Sequence, residues 1–229
     1  MTDYKRFAIY YAPEPGAFAD FGARWLGWDA ATGEPREHPD VPGLPRPVAE
    51  LTDRPRKYGL HATMKPPFRL APYSSQDALA ADIGDLAAAM SPVSFRALKL
   101  VSIGPFLALV PDGDPGPLEA LAGAAVSRLD AHRAAPSAEE LARRRKASLS
   151  MRQDRLLETW GYPYVMEEFR FHITLTGPLP QEERGHVREA LGHWIDPVLP
   201  QPFVIGSICL FGEAQDGFFH LLHRFDLTG

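Results

Sequence analysis

Apolar and polar residues recur along this chain in two rhythms, one with the period of a strand and one with that of a helix. Arg6-Phe7-Ala8-Ile9-Tyr10-Tyr11 predicts a first strand. Pro15-Gly16 then opens a helix in which Phe18, Phe21, Trp25 and Leu26 share one buried face. From Thr32 to Pro55 the periodicity fades into a Pro- and Gly-rich stretch, read as a long loop, and loops of that length are commonly functional or mobile. Ser74-Ser75-Gln76-Asp77 opens an Ala/Leu-rich helix ending near Met90, followed by strand-like runs from Val93 to Ile103 and Phe106 to Val110. Leu118 to His132 is amphipathic, Ser137-Ala138-Glu139-Glu140 is a capping-box signature, and a helix from about Met151 to Trp160 stops at Gly161. Pro180-Gln181-Glu182-Glu183 leads into a last helix through Val187, Leu191 and Trp194, then runs from Phe203 to Phe211 and Phe218 to Phe225.

Within this order one phrase occurs twice. Leu60-His61-Ala62-Thr63-Met64 and Phe171-His172-Ile173-Thr174-Leu175 both read apolar-His-apolar-Thr-apolar, and each reaches a proline (Pro67, Pro178) six residues after its histidine. Each phrase is followed by a helix and two strands. The repeat predicts an α+β fold with two pseudo-symmetric antiparallel-sheet lobes, flanked by helices, around a central cleft. Residues 1–229 then form a single bilobal domain, with motifs at 58–68 and 169–179 and a helical insert at about 117–160. Sites in such proteins commonly lie between the lobes.

Two residues apart on a strand share a face, so each phrase puts His and Thr on one side and its apolar neighbours on the other. Chance supplies roughly 0.3 His-x-Thr triplets in a chain of this composition, so a single copy means little and a framed pair means more. Two imidazoles and two hydroxyls converging is equipment for acid–base chemistry on a phosphate ester. The same parity places Lys65 beside His61 and Thr63, and Arg170 and Thr176 beside His172 and Thr174. Cations there would grip the non-bridging oxygens of a phosphate. Tyr58, Tyr162 and Tyr164 lie just before the two strands, placed to stack on a base or sugar, although aromatics at strand starts commonly serve packing. Arg143-Arg144-Arg145-Lys146 reads as a solvated helix face.

Composition narrows the partners. A net charge of −5 argues against a broad nucleic-acid surface and favours a small phosphorylated sugar or nucleotide over a long RNA, with an RNA end as the second choice. The one cysteine, Cys209, excludes a disulfide within the chain and reads as a buried strand residue. No cysteine-based zinc site, other metal centre or cofactor is expected. Met1 to Tyr11 lacks a signal-type apolar core and no stretch is long enough to span a bilayer, so the expectation is a cytoplasmic protein with no membrane partner.

The paired phrases resemble the signature of the two-histidine phosphoesterase superfamily. Tyr58 to Phe68, Gly161-Tyr162-Pro163-Tyr164, Phe7 to Pro13 and Phe106 to Pro111 resemble one branch of it, described as phosphonate-metabolism proteins. The resemblance implies a bilobal fold and metal-free hydrolysis or transesterification of a small cyclic phosphodiester, ribose-derived or a 2′,3′-cyclic nucleotide. It makes His61 and His172 the catalytic pair and Thr63 and Thr174 the phosphate-holding hydroxyls. The near-symmetry leaves open which histidine is the base. A non-catalytic sensor of a phosphorylated metabolite, using the same groups as donors only, is one alternative, and a metalloenzyme with His61 and His172 as ligands is another, although no nearby Asp, Glu or Cys completes an evident ligand set.

Overall fold

The computed structural model describes residues 4–229. In chain order the elements are β1 (Arg6–Tyr11), α1 (Ala17–Leu26), β2 (Trp28–Asp29), β3 (Glu34–Pro35), α2 (Val48–Leu51), α3 (Asp53–Arg56), β4 (Ala62–Phe68) and α4 (Gln76–Ala88). They continue with β5 (Val93–Phe95), β6 (Ala97–Ile103), β7 (Phe106–Asp112), α5 (Gly116–Arg128), α6 (Ala138–Arg145) and α7 (Met151–Trp160). The chain closes with β8 (Ile173–Thr174), α8 (Arg184–Ile195), β9 (Phe203–Ile205), β10 (Ser207–Glu213) and β11 (Phe219–Asp226).

Local chemistry accounts for most boundaries. The Ser75 hydroxyl accepts from the Ala78 N–H at the start of α4, and Ser137 and Ser150 form complete capping boxes with Glu140 and Gln153 at α6 and α7. Gly161 ends α7 in the left-handed conformation that a glycine adopts without steric cost.

The fold is mixed helix and antiparallel sheet, as expected, but its lobes are not the two sequence repeats. One sheet runs β11-β10-β1-β4 and the other β6-β7-β8. The hairpin that follows the first motif therefore pairs with the second motif, and the hairpin that follows the second motif joins the first. Both long strand-like runs break at the same point, after Phe95 and after Ile205. The two freed pieces, β5 and β9, pair with each other across the pseudo-twofold, Val93 opposite Ile205. Backs are covered by helices: α4 against β10 and β11, α5 against β4, and α8 against β6 and β7. Phe7, Ile9, Tyr11, Ala62 and Met64 of the four-stranded sheet face this main core together with Leu107 and Leu109 of the other sheet. The opposite face of the larger sheet carries Ala8, Tyr10, Cys209, Phe211 and Phe219, with Tyr58 packed on it. Cys209 is buried there, and burial pushes its thiol up to about 11.

The stretch from Thr32 to Pro55 departs from the expectation of a free loop. It contains β3 and the short helices α2 and α3, and it is tied to the second motif. Arg46 donates to Glu183 at 2.8 Å, and the Gly177 N–H donates to the Leu51 carbonyl at 2.7 Å. Among the described residues no helix is long and apolar enough to cross a membrane.

Candidate active site

Each histidine sits one residue before its strand and is held by the same short-range contact. The Nδ1 of His61 lies 3.0 Å from the Gly59 carbonyl, and that of His172 lies 2.8 Å from the Arg170 carbonyl, two residues back in both copies. A carbonyl only accepts, so Nδ1 carries the proton in both rings and Nε2 is left with the lone pair when the ring is neutral. Gly59 takes a φ of +69°, a turn open to glycine, and an added Cβ would also lie 2.8 Å from Ala30. Gly22 of α1 serves by closeness instead: a Cβ there would meet the Leu60 side chain at 2.3 Å, so α1 lies directly on the first motif. Trp25 of the same helix donates from Nε1 to the Leu175 carbonyl at 2.7 Å, fixing the second motif from the same side.

The two rings are close enough for His172 to depress the basicity of His61, but their surroundings differ. His61 packs on Tyr10 (ring centroids 4.2 Å apart) and Tyr58 (5.3 Å), and Tyr58 stacks in turn on Phe219 (4.9 Å). Phe106 lies 5.9 Å from the His172 ring, and the His172 contact to Arg170 is exposed. Burial first, then the neighbouring His172, lowers His61 to about 4 against the bond from Gly59, which raises it. His61 is thus neutral at physiological pH.

Thr63 and Thr174 follow two residues after the histidines, opposite Tyr10 and Ala108 on the neighbouring strands. Among the described residues neither hydroxyl has a protein partner, whereas those of Thr52 and Thr176 are both engaged by backbone. Thr176 is a correction to the sequence reading. It is 1% exposed and its Oγ1 accepts from the Leu107 N–H at 3.0 Å, so it closes the end of β7 rather than facing the cleft.

Lys65 is the larger correction. It is 2% exposed, and its ammonium donates to the Val126 carbonyl (2.9 Å) and to Asp130 (3.2 Å) beneath α5. Strand parity fails because the β1–β4 register shifts: Tyr10 faces Thr63, but Ile9 faces Lys65. Met64 is the extra residue of a β-bulge, which turns Lys65 to the core face. Burial lowers the Lys65 amine to about 8, against the pull of Asp130. Arg170 is exposed, and its Nη1 donates back to the Phe169 carbonyl at 2.6 Å and the Glu167 carbonyl at 3.3 Å. Tyr162 and the exposed Tyr164 meet edge to face at 5.7 Å.

Sequence reasoning missed Tyr10 and Phe106, because only strand pairing shows which rings flank the histidines. It also missed that Arg144 turns inward from its charge run, with its guanidinium 4.7 Å over the Tyr162 ring. A hollow of about 320 Å³ lies beside Leu60, Trp28, Phe211 and Leu221, and neither histidine lines it. Among the described residues no three His, Cys, Asp or Glu side chains gather in a metal-holding group.

Residues 63–220 match the family described as "Protein of unknown function (DUF1045)". The chain belongs to the DUF1045 family. Two relatives are named ribose 1,5-bisphosphate phosphokinase PhnN. The one from Janthinobacterium sp. (strain Marseille) is 34% identical over 218 residues, covering 93% of this chain and 48% of the relative. The one from Laribacter hongkongensis (strain HLHK9) is 34% identical over 214 residues, covering 93% and 49%. This DUF1045 chain therefore spans about half the length of the curated relatives it matches. Its fold is also similar to that of E. coli LigT complexed with NADP+, with a TM-score of 0.48, 15% identity and 100% of each chain covered.

Proposed function

We propose that this DUF1045 protein is a two-histidine phosphoesterase that opens a small cyclic phosphodiester, ribose-derived or a 2′,3′-cyclic nucleotide. The observation that carries this reading is the matched pair of imidazoles. Both are pinned through Nδ1 to the backbone two residues back, which leaves Nε2 for chemistry, and each is followed by a threonine hydroxyl unpartnered among the described residues.

In this reading the closer aromatic packing of His61 gives the two rings different roles. His61, kept neutral by Tyr10 and Tyr58, takes the proton from the attacking water through Nε2. A ring neutral at pH 7 has no proton to give from Nε2, so His172 protonates the departing sugar oxygen. Thr63 and Thr174 donate to the non-bridging oxygens, and Arg170 supplies positive charge on the side of His172. The P–O bond to the sugar breaks as the bond to water forms, and one proton passes from water to His61 while another leaves His172. Lys65 and Thr176 take no part.

The relatives' name supports a ribose phosphate as substrate. The kinase activity in that name belongs to proteins twice this length, and this sequence contains no Gly-Lys-Ser/Thr phosphate-loop motif. Phosphorus NMR on a panel of cyclic phosphates in EDTA tests the proposal: wild type should open at least one ring and His172→Ala should not. Equal turnover by both proteins would end it. Tight binding with no turnover by either would instead mean a phosphometabolite sensor.

A further inference from the structure

We infer that Arg144, delivered by the helical insert, binds a second anionic group of the substrate, a phosphate monoester held at the far end of the sugar from the reacting diester. The inference rests on the phosphoesterase reading above.

Four cations stand in sequence at the end of α6, and they do different things. Arg143 and Lys146 are exposed, and Arg145 is paired with Asp154 (2.7 Å) and Glu158 (2.6 Å). Arg144 is half-buried over the Tyr162 ring, and among the described residues no carboxylate or carbonyl accepts from it. A guanidinium has five N–H donors and no acceptor. An aromatic face attracts its charge but satisfies none of those donors. A lone surface arginine would extend into water, as Arg143 does, rather than stay partly desolvated without acceptors.

Among the described residues no carboxylate pairs with it. Of the charged groups that act on Arg144, Arg6 is already bidentate with Glu213 (2.5 and 2.9 Å). Glu140 is committed to the Ser137 N–H (2.8 Å) and to Arg69 (2.9 Å). Burial, together with Arg143 and Arg6, holds the Arg144 guanidinium below its ordinary value. The site is thus an open cationic fork, suited to the planar bidentate reading of a phosphate.

Its position links it to the histidines. Tyr162, beneath Arg144, lies close enough to Tyr10 to help raise it and close enough to Tyr58 to be raised in turn, and Tyr10 and Tyr58 are the rings packed on His61. Arg144 therefore stands over a ring that neighbours the aromatic wall of His61. A ligand with its ring phosphodiester between the histidines and a monoester at its other end would meet Arg144 across Tyr162.

Two measurements separate this inference from the reading it rests on. Calorimetric titration with ribose 5-phosphate, which has the monoester but no cyclic diester, tests the anion site alone. Arg144→Ala should weaken binding about 10- to 100-fold, as expected for loss of charge-assisted hydrogen bonds. Arg144→Lys should restore part of it, and Arg143→Ala should leave it within about twofold. Unchanged binding in Arg144→Ala, or no binding to wild type at millimolar concentrations, overturns the inference. Turnover of adenosine 2′,3′-cyclic phosphate with and without a 5′-phosphate gives the second readout. Arg144→Ala should lower kcat/KM about 10- to 100-fold for the 5′-phosphorylated substrate and less than about twofold for the other. An equal loss on both substrates overturns it. No turnover of either or of any member of the cyclic-phosphate panel, with ribose 5-phosphate binding still dependent on Arg144, sinks the phosphoesterase reading and leaves the anion site standing.

Discussion

Replacing Tyr58 by alanine should make His61 more basic. In wild type the His61 ring lies between Tyr10 and Tyr58, and burial holds it at about 4 against an ordinary value of 6.5. Tyr58 is the removable half of that wall, since Tyr10 is 1% exposed and part of the aromatic core. Admitting water should raise the value toward 6.5. At pH 5 the neutral fraction of the ring is about 0.9 for a value of 4 and about 0.03 for 6.5, so complete rehydration would cost about 30-fold in active base. Histidine Hε1 shifts followed by NMR from pH 3.5 to 8, with His61→Asn for assignment, give the answer without any substrate. Wild type should show one midpoint near 4, and Tyr58→Ala should move it up by about one unit or more. The acidic limb of kcat/KM reports the free enzyme's base and should shift in parallel. A wild-type His61 midpoint between 6 and 7 would refute both the burial argument and the choice of His61 as base.

The same burial couples to stability. Between pH 6.5 and about 4 the unfolded chain binds a proton at His61 that the folded chain refuses, so stability should fall on acidification through that window. The loss is up to about 3 kcal/mol, less whatever hydration the half-buried ring retains, and His61→Asn should flatten this part of a urea-denaturation series against pH. His172→Asn should lower kcat by about 10²-fold or more with a native melting curve, as expected for loss of a general acid, and a smaller effect would reassign that role. Lys65→Met should leave kcat/KM within about twofold because Arg133 still neutralises Asp130, whereas Asp130→Ala strands a buried ammonium and should cost about 3 kcal/mol in chemical denaturation. Thr176→Val should destabilise by about 1–3 kcal/mol by orphaning the buried Leu107 N–H, with activity per folded molecule unchanged; lost activity at full stability would return Thr176 to the cleft.

The sequence made the histidines visible because His-x-Thr alternation survives wherever a strand is regular. It misled at Lys65 because a bulge adds one residue and reverses the faces that follow until the next register shift, and nothing in Thr63-Met64-Lys65 announces that Met64 is the extra one. Thr176 keeps the parity of Thr174, but the end of β7 needs an acceptor at Leu107 and takes its hydroxyl. Element order and the capping boxes of α6 and α7 were readable because their determinants are local. The exchange of hairpins between sheets was not, since periodicity specifies which face is buried and says nothing of which strand lies alongside. For the same reason Arg144 looked like its exposed neighbours: its inward turn depends on Tyr162, eighteen residues away in sequence.

That exchange of hairpins also governs the order in which the molecule can become competent during synthesis. The aromatic surface behind His61 is drawn from segments far apart in sequence, with Tyr10 from β1 packed on Phe211 and Phe219 from β10 and β11. A nascent chain that has already released both histidines still lacks β10 and β11, and so lacks the surface on which Tyr58 stacks. Until that hairpin inserts beside β1, the first histidine stays hydrated and as basic as any free imidazole. Neither repeat can finish a sheet alone, so closure depends on contacts of high sequence separation, which form late and cooperatively. The aromatic surround of His61 is therefore among the last parts of the fold that can be completed.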